Sequence, residues 1–312
     1  DRISRSVYSY ELSRRYWNFT PAGNEIVELD TTDINEDGIQ DIILTSNDTT
    51  ESRGYLYVFF GSSDPLPGPP DTDFNGDGTS DIAVFRESSG LWAIRGISRL
   101  YFGGSGDTPH PADYSGDGTT DIGIFRESSG LWAIREITRL YFGGDDDRPQ
   151  SGDYDGDGIC DIGIYRPAAG LWAIRDLTRV YFGTTGDQPV PANYEGTGMS
   201  EIGIYRPATG LWAIRGVTRV YFGASNDEPV PGDYGGEGTS CPALFRPSSG
   251  LWAVRDFTRF YFGGFSDNPR PADYTGSGIN DPGIFRPASG LWAIPGLTRV
   301  YYGADGDIPV TR

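Results

Sequence analysis

A nine-residue acidic loop recurs every 40 residues along this chain, beginning at Asp33, Asp73, Asp113, Asp153, Asn193, Asp233 and Asp273. A fixed period of that length is the mark of a repeat-built body. It overrides the two-domain organisation that 312 residues would otherwise suggest. The copy DYDGDGICD, Asp153 to Asp161, shows the chemistry most fully: carboxylates at loop positions 1, 3, 5 and 9, with Gly158 at position 6 where the chain must turn sharply. Ca²⁺ takes about six to eight hard oxygen ligands, and such a loop supplies them from alternate side chains and from the position 7 carbonyl.

Between loops, the later repeats read as a strand (DIGIFR), a turn (ESSG or PASG), a strand (LWAIR), a second turn, a strand (TRLYFG), and a Gly/Asp/Pro linker into a short PVPAD-like strand. The 45 glycines and 22 prolines punctuate runs rich in Ile, Val, Tyr, Phe and Trp, a composition of many short strands and little helix. Leu131 and Trp132 are adjacent on one strand and so face opposite ways, as a blade sandwiched between two others requires. Four strands per unit, apolar on both faces, predict an all-β protein, a β-propeller, and seven loops predict seven blades spanning residues 25–312. Repeat 1 lacks the GLWAIR segment, while Trp17 lies in SRRYWNF, outside the period. This predicts that residues 7–19, within an N-terminal segment 1–24, close the ring onto blade 1 or on the outer edge of blade 7.

The formal net charge of −19 argues against nucleic acid and anionic membrane surfaces as partners. No apolar run reaches the ~18 residues of a membrane span. The chain starts at Asp1 without a methionine, which reads as a processed product or a piece of something larger. All 25 basic residues are arginine, and 17 of them occupy the three repeat positions typified by Arg126, Arg135 and Arg139. Planar guanidinium groups at these positions are expected to act mainly as structural clasps on carboxylates or carbonyls. Cys160 and Cys241 sit two repeats apart and are expected to be free thiols. A single histidine, His110, leaves no raw material for a zinc site or a His-based triad, and no nucleophile stands out from the repeat, so an enzyme is not expected.

The D-x-[DNS]-x-D-G-x-x-D loop followed by DIGIFR and a YFGG strand resembles the FG-GAP or VCBS repeat over about residues 25 to 306. That family includes the calcium-bearing propellers of integrin α subunits and some propeller lectins. The resemblance implies an extracellular recognition module whose Ca²⁺ loops stiffen one face while ligands meet the other.

Four loops hold full or near-full ligand sets, predicting about four Ca²⁺ per chain: Asp33, Asn35, Asp37 and Asp41; Asp73, Asn75, Asp77 and Asp81; Asp113, Ser115, Asp117 and Asp121; Asp153, Asp155, Asp157 and Asp161. Four divalent ions add eight positive charges and would bring the net charge from −19 to about −11. The loops at Asn193 and Asp233 depart from the pattern and are expected to be metal-free turns. The last loop keeps Asp273 and Asp281 as its only carboxylates, which leaves its occupancy open.

The expected function is that of a secreted or cell-surface binding module, monomeric as a propeller, that recognises an extracellular glycan or protein. The alternative is a spacer domain of a larger surface protein. Arg126, Arg166 and Arg206, beside the PSSG-type turns, and Asp147, Asp187 and Asp227, in the linkers, are the candidate ligand residues. Pairing of these two series across blades is the competing role for each of them.

Overall fold

The computed structural model describes residues 24–32, 41–48, 53–59 and 72–311. The chain divides into two compact units, residues 1–66 and 67–312. In the first, strands Asn24–Thr32, Asp41–Asp48 and Arg53–Phe59 form an antiparallel three-stranded sheet in chain order. Its register shifts between Ile26 and Glu28.

The second unit is a β-propeller of six four-stranded antiparallel blades, not seven. One blade shows the pattern of all. Strands Arg148–Pro149, Gly163–Arg166, Leu171–Ile174 and Thr178–Tyr181 pair in that order. The acidic loop joins the first two, and a bridge between Gly152 and Asp161 extends their pairing to its base. The first strand is short because prolines remove its donors, which suits an edge strand. Among the described residues the one helical turn is the 3-10 segment Glu127–Ser129, and no helix is long and apolar enough to cross a membrane.

Strand alternation builds the core. Phe125 and Trp132 are cross-strand partners on one face of their blade, with ring centroids 5.1 Å apart. Together with Ile134 they pack on Ile162, Ile164 and Ala173 of the following blade. The same contact recurs at every blade junction, and at the last one Phe285 and Trp292 meet Val84 and Ala93 of the first blade. All six of these tryptophans are fully buried. A buried indole N–H needs an acceptor. Each finds one on the chain leaving its blade's fourth strand, as Trp172 does at the Phe182 carbonyl, 3.0 Å away.

Closure comes from the C-terminus. Strand Ile308–Pro309 adds to the sheet of Ala83–Arg86, Leu91–Ile94 and Ser98–Tyr101 and supplies the strand that this blade lacks. The Val310 amide donates to the Ala83 carbonyl at 2.9 Å. The expected seventh blade is therefore corrected: repeat 1 supplies a three-stranded sheet, and the ring of six complete units includes strand Ile308–Pro309 in its first blade. Residues 7–19 lie outside the described residues.

Candidate functional site

Two sets of residues stand at opposite ends of the strands: the acidic loops, and the arginines near the PSSG-type turns. The loops are organised first by the backbone. Asp73 accepts from the amides of Gly76 (2.7 Å) and Gly78 (2.8 Å), and Asp81 from that of Phe74 (2.8 Å). Each loop also grips its neighbour, since the position 8 amide donates to the position 1 carbonyl of the preceding loop. Thr120 bonds Asp73, Cys160 bonds Asp113, Ser200 bonds Asp153, Ser240 bonds Asn193, Asn280 bonds Asp233, and Ser80 bonds Asp273. These bonds, 2.6 to 2.8 Å long, form a closed circuit. Position 4 must be glycine in this packing: Gly116 has φ +74°, and a Cβ there would lie 2.8 Å from Ile159 of the next loop.

The circuit explains why loops with poor ligand sets keep the same shape. In the loop at Asp233, with Gly235 and Cys241 in place of ligands, Asp233 still accepts from Gly236 and Gly238 at 2.7 Å. The sequence pattern thus mixes two requirements: a carboxylate or amide at position 1 that ties the turn, and further carboxylates the turn itself does not need. Those further carboxylates are the informative ones for metal.

Among the described residues, three carboxylates converge in one loop: oxygens of Asp153, Asp155 and Asp161 lie within 4.8 Å of one another. This oxygen-only set suits a hard cation. In the loop at Asp73, Asn75 donates to Asp77 at 3.0 Å, so these two are engaged with each other. In the loop at Asp113, Asp117 accepts from the Thr119 amide at 2.8 Å and from its hydroxyl at 2.6 Å. Asp273 accepts from the Gly276 and Gly278 amides, and Asp281 from the Tyr274 amide. Asp33, Asn35 and Asp37 lie outside the described residues, and Asp41 opens a strand of the three-stranded sheet rather than of the ring.

Burial raises the position 9 carboxyls. Desolvation pushes Asp81 up to about 6, opposed by the Phe74 amide and assisted by repulsion from Asp77 and Asp73. Asp121, Asp161 and Asp281 shift the same way, each chiefly by desolvation, as does Asp153 at position 1. A group whose folded pKa exceeds its unfolded value, ~3.9, binds more protons when folded. Stability therefore falls as pH rises through the window from about 4 to about 6. Metal-free protein is expected to melt lower at pH 7 than at pH 5 from this contribution, and saturating Ca²⁺ is expected to lift the melting temperature more at pH 7 than at pH 5. Scanning calorimetry at the two pH values checks it.

At the other end of the strands, the two candidate ligand series pair with each other. Arg126 bonds Asp107, Arg166 bonds Asp147, and Arg206 bonds Asp187, in each case Nε to one carboxylate oxygen and Nη2 to the other at 2.6 to 2.9 Å. Arg246 holds Asp227 and Arg286 holds Asp267 in the same way, and Arg86 holds Asp307 of the closing strand. The carboxylates are fully buried and the guanidinium groups roughly 30 to 45 % exposed. These are clasps between the first two strands of each blade. Arg166→Ala is expected to leave Asp147 buried without its partner, costing about 3 kcal/mol, the low end for such a loss because one side of the pair meets water. Urea titration of the variant checks it.

Of the other two arginine positions expected to be clasps, one makes only exposed pairs with the next residue, as Arg175 does with Asp176 at 3.0 Å. The Arg139 series makes no ion pair among the described residues. The clasp reading therefore holds for the Arg126 series and not for the Arg139 series. Cys160 and Cys241 are not joined in a disulfide, as expected from their separation.

Between blades the clasp arginines border small grooves. One of about 200 Å³ is lined by Tyr181, Ile204, Arg206, Leu211, Ala213 and Arg219, and one of about 220 Å³ at the next junction by Phe222, Leu244, Arg246, Leu251, Ala253 and Arg259. The contribution of Arg219 and Arg259 was legible only as a recurring TR-x-Y; nothing in that motif says which arginines are paired and which are free. No protein-family model matches the chain, and no curated protein matches it significantly.

Proposed function

We propose that the ring is a calcium-stabilised binding module that recognises an extracellular glycan or protein through its repeated inter-blade grooves. The observation that carries this reading is the recurrence of one groove, with an apolar floor and two arginines at its edge, at successive blade junctions. Repetition on a rigid ring favours a repetitive ligand, since each added contact is intramolecular once the first has formed. The loop motif that resembles FG-GAP repeats, together with the convergence of Asp153, Asp155 and Asp161, supports Ca²⁺ in that loop. Those three carboxylates would hold the ion, which would offset their mutual repulsion and tie the loop without taking part in any reaction. Extracellular calcium modules bind in the ~10⁻⁴ to 10⁻³ M range, which fits a few surface carboxylates rather than a closed cage.

Ca²⁺ at about 100 times its dissociation constant is expected to stabilise the ring by about 2.7 kcal/mol per site, a rise of about 5 to 10 °C in melting temperature. Asp155→Ala should abolish that response at its loop, because Asp155 makes none of the position 1 and position 9 bonds that shape it. Calorimetric titration showing no calcium binding to the wild-type chain would remove the metal from the account. Binding itself is tested on a glycan array with and without EDTA. A spacer domain would give no signal under either condition.

A further inference from the structure

We propose that the grooves carrying Arg219 and Arg259, together with the equivalent surface around Arg299 at the next junction, bind the acid groups of an anionic polysaccharide, an inference that rests on the binding-module reading above and names its ligand class. Each of these arginines is exposed and has no ion-pair partner among the described residues. Beside it stands a clasp arginine that is only partly engaged. Arg206 uses Nε and Nη2 on Asp187 and gives a further Nη2 contact to Thr184, leaving Nη1 with no bond among the described residues. Two guanidinium groups therefore edge one groove, and a carboxylate or sulfate is what such a planar pair of donors accepts.

The remaining walls select the body of the ligand. Ile204, Leu211 and Ala213 give an apolar floor, and a volume of 200 to 220 Å³ is small beside the ~300 to 1,000 Å³ usual for ligand pockets, so one ring-sized group enters each groove. Two residues beyond each free arginine, on the same face of the strand, stands a tyrosine that is 72 to 76 % exposed at these three junctions, Tyr221, Tyr261 and Tyr301. Exposed tyrosines offer a flat apolar face and a hydroxyl together, which suits a sugar ring.

Local charge picks out these three junctions from the six. The turns of the two blades that carry Arg99 and Arg139 contain Glu87 and Glu127, whereas the later turns have proline there, at Pro207, Pro247 and Pro287. The linker before Arg166 adds the exposed Asp145 and Asp146, and the linker closing the ring adds Asp305, while those before Arg206, Arg246 and Arg286 hold no acid beyond the clasped Asp187, Asp227 and Asp267, save Glu228 in the strand that follows one of them. A polynucleotide, with a charge every ~3.4 Å of strand, would be repelled by a protein of net charge −19. An acidic polysaccharide spaces its charges by whole sugars and meets the arginines with less repulsion elsewhere.

The test is biolayer interferometry of the calcium-loaded full chain against immobilised hyaluronate (carboxylate only), dextran sulfate substituted lightly enough that its sulfates lie whole sugars apart (sulfate only), neutral dextran and a single-stranded oligothymidine. The expected result is salt-sensitive binding to hyaluronate, dextran sulfate or both, with neutral dextran and oligothymidine at background. Which acidic polymer binds distinguishes the two anion sources. The combined variant Arg219→Ala, Arg259→Ala, Arg299→Ala should then lose at least about tenfold in affinity with its melting temperature little changed, since these exposed side chains make no hydrogen bond or ion pair among the described residues. The lysine variant of the same three positions should recover part of the binding. Unchanged affinity in the folded alanine variant, equal binding of neutral dextran, equal binding of oligothymidine, or no binding to either acidic polymer would each overturn the inference. Neutral-glycan signals on the array would then still uphold the binding module, so the two readings fail separately.

Discussion

A chain lacking residues 306–312 is expected to melt about 6 to 24 °C below the full chain and to self-associate. The deletion removes Ile308–Pro309 from the sheet of the first blade, Val310 from its core, where it is 1 % exposed, and Asp307 from the Arg86 clasp. Losing the buried valine costs about 1.5 to 3 kcal/mol. The lost ladder and clasp bonds add a similar amount at about 1 kcal/mol each. At about 2 to 4 °C per kcal/mol for a unit of this size, the sum gives the stated shift. It also bares the edge of Ala83–Arg86, an open template for pairing with another chain. Scanning calorimetry and light scattering on the truncated chain read both effects.

Trp212→Ala is expected to be the most damaging single substitution among the core positions of the fourth blade. Trp212 is fully buried against Tyr205, Ile214 and Leu244, so it spans two blades, and its indole N–H donates to the Phe222 carbonyl at 3.0 Å. Truncating such a residue costs about 3 to 5 kcal/mol, and the released carbonyl adds about 1 kcal/mol more. A fall of about 8 to 24 °C in melting temperature follows. Trp212→Phe keeps most of the volume but loses the bond, and should fall well short of that. If alanine and phenylalanine cost the same, the bond rather than the packing would be what matters at this position.

Much of the fold was legible because strand alternation and turn chemistry repeat every 40 residues. Opposed packing of Leu131 and Trp132 appears as expected, with Trp132 facing the next blade and both residues buried. Loops outnumber blades because repeat 1 carries the loop without the four strands of a blade. The correct count is also written in the sequence. Each clasp arginine has its aspartate 19 residues earlier, but the residue 19 before Arg86 is Pro67, and the aspartate left over is Asp307 in GDIPV at the chain's end. That orphan strand and that orphan arginine belong together. Partnering was harder to read: the Arg126 and Arg139 series are alike in residue type and period, and only the position of a strand within its blade decides which meets a carboxylate. In the loops, position 1 aspartates serve the turn whether or not a cation binds, so their presence does not by itself mark a metal site.

Amide hydrogen exchange at Val310 tests the central claim, a six-bladed ring closed by its own C-terminal strand, most directly. Val310 donates to Ala83 at 2.9 Å as Val190 donates to Gly203 and Val230 to Ala243 at 2.8 Å, each directly after the first strand of a blade. The ring as described predicts protection of the Val310 amide comparable to that of Val190 and Val230. Exchange at Val310 at the rate of an unstructured peptide, with Val190 and Val230 protected, would contradict it.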